Sequence, residues 1–175
     1  GPLAGPVVAA AVIFPKNIFI QGIDDSKKIT AKSRESLYKI IRRKALSIGI
    51  GIVDETEIDN INILQASYKA MHIAVSKLTK PPDYILVDGR ENPLFSGPQL
   101  AIIGGDGKSF SIAAASIVAK VERDSIMTEY DKIYPYYGFA RHKGYPTREH
   151  IRAIHQNGLS PIHRKTFKIR AINEK

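Results

Sequence analysis

The chain has 175 residues, of which 43% are hydrophobic, enough to bury the core of one compact domain. Its 26 lysines and arginines against 17 aspartates and glutamates give a formal net charge of +9, which favours a polyanionic partner, although a generally basic surface would give the same count. The absence of cysteine excludes disulfides and thiolate zinc sites, and no apolar run reaches the length of about 18 residues that a membrane span needs.

Apolar runs and helical stripes alternate along the chain. The first run lies between Pro6 and Pro15 and indicates a strand covered on both faces. Thr30 is a predicted N-cap, and Gly158 a predicted residue just past a helix end. The predicted elements are a strand over 7–14, a helix over 31–45, a strand over 47–53, a helix from Asn62 that Pro81 ends, strands over 84–87 and 100–103, a helix over 110–133 and a last helix between Thr147 and Gly158.

This alternation predicts an α/β domain with a partly parallel sheet. Asp88 and Asp106 each follow a predicted strand, and in such sheets function gathers at the carboxyl ends of the strands. If the two strands are neighbours, the carboxylates lie close together and favour a hard divalent cation between them. Two such ions, about 3.5 to 4 Å apart, can clamp a phosphodiester. The alternative is that each aspartate only forms a turn.

The stretch GGDGKS around Asp106 resembles half of a phosphate-binding loop. A complete G-x-x-x-x-G-K-[ST] motif requires a glycine at position 102, and the chain has Ile102 there. A nucleotide-binding loop is therefore the weaker interpretation of this stretch.

Basic and aromatic residues supply candidates for binding a nucleic-acid backbone. Tyr134–Thr147 holds five aromatic residues among basic residues and glycines, a composition that suits stacking on sugars or bases, or equally a lid on the core. The basic candidates are Lys27, Lys28, Lys108, Arg141, His142 and Lys143, each of which can also be a solvated surface charge.

Several stretches together resemble the bacterial ribonuclease HII family, the type 2 ribonucleases H. They are GPLAGPVVAAAVIF, DDSKKIT, NILQASYKAM, ILVDG, GGDGKSFSIAAASIVAKVERD, YYGFARHKGYPT and SPIHRKTF, and they cover nearly the whole chain in order. The resemblance implies a ribonuclease H-like mixed sheet flanked by helices, in a single domain over 1–175 with 134–175 as a helical, substrate-binding C-terminal extension.

The resemblance also implies an activity and its site. The expected enzyme is an endonuclease dependent on Mg²⁺ or Mn²⁺ that cleaves the RNA of RNA/DNA hybrids and cuts 5′ of single ribonucleotides in duplex DNA, giving 3′-hydroxyl and 5′-phosphate ends. Asp88 and Asp106 match the catalytic, metal-binding acids, and Tyr145 matches the tyrosine that packs on the sugar at the ribose-to-deoxyribose junction. The remaining expected substrate contacts are Gly1, Ser26, Lys27, Lys28, Lys108, His142 and Lys143.

One departure from the family pattern concerns the N-terminus. Gly1 matches the last glycine of a D-E-A-G-R-G motif whose Asp and Glu are the other two metal ligands in the family. We therefore expect the parent protein to carry a further strand with these acids, and residues 1–175 alone to be poorly active. If the chain is complete, the alternative is a non-catalytic module that binds RNA/DNA hybrids.

The expected setting follows from the same resemblance. The partners would be RNA/DNA hybrids and ribonucleotide-containing DNA, the location the cytoplasm, and the processes ribonucleotide excision repair and DNA replication. The C-terminal KIRAINEK lacks the aromatic pair that docks on a sliding clamp, so we expect no clamp partner. We also expect no membrane association and a monomer.

Overall fold

The computed structural model describes residues 1–23 and 29–168. Strands and helices alternate, which confirms the predicted α/β class. The elements are β1 (Val7–Ile13), α1 (Ala31–Lys44), β2 (Ser47–Val53), α2 (Glu55–Ser76), β3 (Ile85–Asp88), β4 (Gln99–Ile102), a 3₁₀ turn (Gly105–Gly107), α3 (Phe110–Ile133), α4 (Phe139–His142) and α5 (Arg148–Asn157).

The chain divides into two compact units. The first unit takes Gly1–Val7, Val53–Ala66 and the described residues from Arg123 onward, and the second takes Val8–Ile52 and Ser67–Glu122. The core of the first unit consists of Leu3, Ala4, Met127, Tyr137, Phe139, Ala153, Ile154 and Ile162. The core of the second unit consists of Ile20, Leu37, Ile41, Ala114, Ile117 and Val118.

Side-chain caps define two of the helices. The Thr30 hydroxyl accepts a hydrogen bond from the backbone N–H of Ser33 at 3.1 Å, and α1 begins at the next residue. Thr147 caps α5 in the same way through the N–H of His150, and Gly158 follows the helix at φ 75°. Both helix starts and the stop at Gly158 were predicted, because these residue types satisfy the unpaired groups of a helix end.

The strands of the described part form two pairs, β1 with β2 and β3 with β4. β3 and β4 run parallel, with Ile85 opposite Gln99 and Asp88 opposite Ile102. β1 differs from its prediction, because each of its residues is half-buried and the strand is not covered on both faces. No helix in residues 1–23 and 29–168 is both long enough and apolar enough to cross a membrane.

Candidate functional site

The two predicted catalytic aspartates lie at the ends of neighbouring parallel strands in the second unit. Asp88 is the last residue of β3, and the ladder continues one step further, where Gly89 N–H donates to Ile102 O at 2.9 Å. Asp106 follows β4 within the 3₁₀ turn. The expectation that neighbouring strands bring these two positions together is thus confirmed.

A direct hydrogen bond couples Asp88 to the turn that carries Asp106. Gly105 N–H donates to Asp88 Oδ1 at 2.8 Å, which fixes one carboxylate oxygen of an otherwise exposed side chain. Gly104 enters the turn at φ 65°, a conformation that favours glycine. A Cβ on Gly105 would lie 2.6 Å from Ile112 Cδ1, so a side chain there would displace the turn from its packing on α3.

Asp106 and Lys108 leave this turn in different environments. Asp106 is buried, with 7% of its surface exposed, whereas Lys108 is exposed. Lys108 Nζ donates to Ile103 O at 2.8 Å, so its ammonium group lies against the carboxyl end of β4. A lysine held there puts a positive charge beside the strand end that Asp106 follows.

The sequence reasoning missed Asn92, which organises the loop between β3 and β4. Asn92 is fully buried, and its Nδ2 donates to Tyr68 O at 2.9 Å. Its backbone exchanges two hydrogen bonds with the Gln99 side chain, at 2.8 and 3.0 Å. These bonds anchor the loop that follows Asp88 to α2 and to the first residue of β4. An isolated asparagine in a polar loop gave no signal by which the sequence could have identified it.

The donor set suits part of a divalent-cation site. Carboxylate oxygens are the ligands that Mg²⁺ and Mn²⁺ prefer, and such ions keep water ligands and take phosphate oxygens from a substrate. The described residues hold no group of three or more His, Asp or Glu side chains that could bind a metal ion. By donor chemistry the carboxylates of Asp88 and Asp106 suit such a cation, with other oxygens completing its coordination.

Tyr145 lies in the first unit on a tightly held turn. Its side chain is 43% exposed, and the Arg123 guanidinium lies over the ring, 5.8 Å from the ring centroid. The two residues before it have left-handed backbone conformations, with φ 52° at Lys143 and 80° at Gly144. A Cβ on Gly144 would lie 2.6 Å from Ala4 O, so this turn requires glycine.

Two buried arginines bind the main chain of the N-terminal segment. Arg123 donates to the carbonyls of Ala4 and Pro6, both at 3.0 Å, and Arg164 donates to Gly5 O at 2.9 Å and Pro6 O at 3.2 Å. Desolvation by burial lowers the pKa of Arg123, and it lowers the pKa of Arg164 to about 10, with the nearby Arg123 charge adding to the effect. Both side chains remain charged at neutral pH, so they bring two positive charges close to this segment.

The remaining predicted substrate contacts have varied surroundings. Gly1 is exposed near Phe167. His142 is buried and uses both ring nitrogens within the protein, through Tyr137 O at 2.7 Å and Gly144 N at 3.2 Å, so its contact with substrate stays a prediction. Lys143 is half-buried, and its Nζ donates to the Thr128 hydroxyl at 2.8 Å. The predicted contacts Ser26, Lys27 and Lys28 lie outside the described residues.

Comparison with known proteins identifies relatives along nearly the whole chain. The family model described as Ribonuclease HII matches residues 1–170. The chain is 58% identical to the ribonuclease HII of Acetivibrio thermocellus over 167 residues, which are 95% of this chain and 65% of that protein. It is 55% identical to the ribonuclease HII of Geobacter metallireducens, over 96% of this chain and 79% of that protein. The chain spans about two thirds of the length of the first curated relatives that it matches.

Solved structures share the fold. The ribonuclease H2 of Pyrococcus horikoshii OT3 superposes with a TM-score of 0.79 at 27% identity, over 97% of this chain and 90% of that chain. The Archaeoglobus fulgidus protein, solved as a PCNA:RNase HII complex, superposes with a TM-score of 0.74 at 23% identity, over 98% of this chain and 92% of that chain. The fold expected from the resemblance, a ribonuclease H-like α/β fold, is confirmed.

Proposed function

Because the chain belongs to the ribonuclease HII family, we propose that the protein is a metal-dependent endonuclease acting on RNA paired with DNA. It cleaves the RNA strand of RNA/DNA hybrids and cuts 5′ of a single ribonucleotide in duplex DNA, leaving a 3′-hydroxyl and a 5′-phosphate. The observation that carries the proposal is the joining of Asp88 to the Asp106 turn by the 2.8 Å bond from Gly105.

Asp88 and Asp106 would hold the divalent cation, Mg²⁺ or Mn²⁺, together with acids of the family's N-terminal motif. The bound ions would supply an acidified water and positive charge at the scissile phosphate. The bond from Gly105 keeps one Asp88 oxygen in place. Lys108, at the end of β4, contributes positive charge toward the phosphate backbone.

Substrate recognition is assigned to residues at several places in the chain. Tyr145 packs on the sugar at the junction, and the 2′-hydroxyl of the ribonucleotide distinguishes RNA from DNA at that position. The exposed part of the Tyr145 ring and its fixed main chain support this role. Backbone contacts are assigned to Gly1, Ser26, Lys27, Lys28, His142 and Lys143, with 134–175 as a substrate-binding extension of a single domain.

The proposed setting is the removal of ribonucleotides from DNA in the cytoplasm. A formal charge of +9 supports a nucleic-acid partner. We propose that the protein acts as a monomer.

Cleavage of a labelled DNA duplex with one ribonucleotide tests this function. Residues 1–175, and the same chain extended by a strand that ends in the D-E-A-G-R-G motif, are assayed with Mg²⁺ and with Mn²⁺. We expect the extended chain to cut 5′ of the ribonucleotide. Binding without cutting by both chains would instead support the non-catalytic hybrid-binding module.

Asp88→Asn in the extended chain isolates the role of the carboxylate. Asparagine retains an oxygen for the Gly105 N–H but loses the charge, so we expect cleavage to fall by at least about 100-fold while substrate binding persists. Asp83→Asn, at an exposed position before β3, is the matched control and keeps full activity. Normal cleavage by Asp88→Asn would make Asp88 only a turn residue.

A further inference from the structure

Three histidines from separate parts of the chain form a buried cluster in the first unit. His142 ends α4, His150 lies in the first turn of α5 and His163 follows the Ser160 turn. His150 and His163 are 0% and 1% exposed, and the rings of His142 and His150 stack with centroids 4.3 Å apart. The proposed function assigns a substrate contact to His142 but none to His150 or His163, the two most deeply buried members of the cluster.

The hydrogen bonds of the cluster are consistent with one set of neutral tautomers. Ser160 directs its backbone N–H and its hydroxyl at His163 Nδ1, at 2.9 and 2.7 Å. Since the backbone N–H can only donate, Nδ1 of His163 carries no proton and Nε2 carries it. His163 Nε2–H then donates to His150 Nε2 at 3.0 Å, and His150 Nδ1–H donates to Tyr145 O at 2.9 Å.

This directional chain, the Ser160–Tyr145 relay, cannot accept a proton without losing a bond. A proton on His150 Nε2 would oppose the N–H of His163, and a proton on His163 Nδ1 would oppose the N–H of Ser160. Burial favours the neutral form of all three rings, because desolvation lowers the pKa of each. The charged groups that act on the cluster are Arg141, Glu149 and Asp131, through His142.

The relay ends on the main chain of the turn that presents Tyr145. Around that turn, Lys143 O accepts from Arg123 at 2.9 Å, and Gly144 N–H donates to His142 Nδ1 at 3.2 Å. Tyr145 O accepts from both His150 and Thr147 N. A left-handed lysine is an uncommon conformation, so the turn depends on these external bonds to keep its shape.

We propose that His150 and His163 are positioning residues for Tyr145, which they hold against the substrate sugar through the carbonyl at the end of the relay. The inference rests on the proposed function, in which the Tyr145 ring contacts the substrate. His150 and His163 are buried and touch no substrate themselves. They fix the main chain from which the half-exposed ring projects, so the effect of losing them appears in discrimination at the ribonucleotide.

Two substitutions at His163 separate the relay from simple packing. His163→Gln places an amide N–H donor near the position of Nε2 and preserves the bond to His150. His163→Asn places an oxygen near the position of Nδ1, which preserves the bond from Ser160 but removes the donor to His150. His155→Asn, at an exposed position on α5, the helix that carries His150, is the matched control.

The readout is the ratio of affinities for a DNA duplex with one ribonucleotide and for the same duplex made entirely of DNA, measured without divalent cations. Tyr145→Ala gives the ratio in the absence of the ring. We expect His163→Asn to lower the ratio about fivefold, the equivalent of one buried hydrogen bond. His163→Gln and His155→Asn should stay within about twofold of the unsubstituted chain.

The outcomes separate a failure of the relay from a failure of the proposed function. A ratio that His163→Asn leaves unchanged, in a chain that does prefer the ribonucleotide, would overturn the relay alone. An unsubstituted chain without such a preference would overturn the proposed role of Tyr145 and the relay's function with it. If the asparagine variant fails to fold, ¹⁵N NMR of the unsubstituted chain decides: the opposite tautomer at His150 or His163 at neutral pH would overturn the relay.

Discussion

Three neutral imidazoles in one core make stability depend on pH. Desolvation lowers the pKa of His150 to about 4, whereas the pKa of a histidine in an unfolded chain is about 6.5. Between these values the unfolded chain binds more protons, so stability is greatest above about pH 6.5 and falls as the pH drops toward 4. For His150 alone the loss is at most about 3 kcal/mol.

Urea unfolding between about pH 4 and pH 7.5 measures this effect. We expect His150→Asn to flatten the acid side of the profile relative to the unsubstituted chain, and the exposed His155→Asn to leave its shape unchanged. An acid limb equally steep in His150→Asn would show that other groups, such as the carboxylates, are responsible for it.

The residues of the site were predictable to different degrees. Asp88 and Asp106 stand directly after apolar runs, and a parallel pairing of neighbouring strands brings such residues together. The histidine cluster gave no such signal, since positions 142, 150 and 163 follow no helical or strand period. Their contact results from the packing of α4, α5 and the Ser160 turn, which no local pattern encodes.

Among the elements, β2 and α2 pack backbone to backbone. A Cβ on Gly51 would lie 1.8 Å from Ala70 O, and one on Gly49 would lie 1.9 Å from Ala74 O. We expect Gly51→Ala to destabilise the protein by about 3 kcal/mol or more, because the helix must shift to admit a methyl group. Gly97→Ala, which meets nothing within 4 Å, is the control in urea unfolding. Equal stabilities would show that β2 and α2 separate at little cost.

The helices that were predicted well are those whose ends carry a local sequence signal. α1, α3 and α5 were predicted to within a residue or two, because a threonine cap, a glycine stop or an uninterrupted helical stripe marks each end. α2 was predicted only from Asn62. The structure has a short helix before it, from Glu55, and a break at Asn62, where φ is 68° and Oδ1 caps the N–H groups of Leu64 and Gln65. The asparagine was thus recognisable as a start, but the preceding short helix was not.

At the scale of the whole molecule, the net charge of +9 makes nucleic-acid binding sensitive to salt. Each phosphate contact contributes about 0.9 to the slope of log affinity against log salt. We expect Lys108→Ala to reduce that slope by about 0.9. The substitution should weaken binding to ribonucleotide-containing and to all-DNA duplexes by the same factor. Titrations at several salt concentrations measure both. An unchanged slope would show that Lys108 makes no phosphate contact and would contradict its assigned role.

Fold class and family were predictable for the whole chain, because the motifs that carry the resemblance extend along nearly all of it. The division into two compact units was not, since the boundaries at Val7, Val53, Ala66 and Arg123 fall inside or at the ends of predicted elements. Composition marks linkers between domains but gives no signal for units that share continuous helices and strands.

Arg123 and Arg164 identify residues 4–6 by the course of the main chain, since every acceptor they use there is a backbone carbonyl. The arginines therefore constrain the main-chain path of the segment and not its side chains, which are limited instead by packing at the fully buried Ala4 and at Gly5. Gly5 has φ 82°, and a Cβ on it would lie 2.3 Å from Met127 Sδ, so any side chain would collide. In a library randomised over positions 4–6, we expect position 5 to accept only glycine and the fully buried position 4 to accept only small side chains, whereas the two arginines that bind the segment would tolerate no exchange.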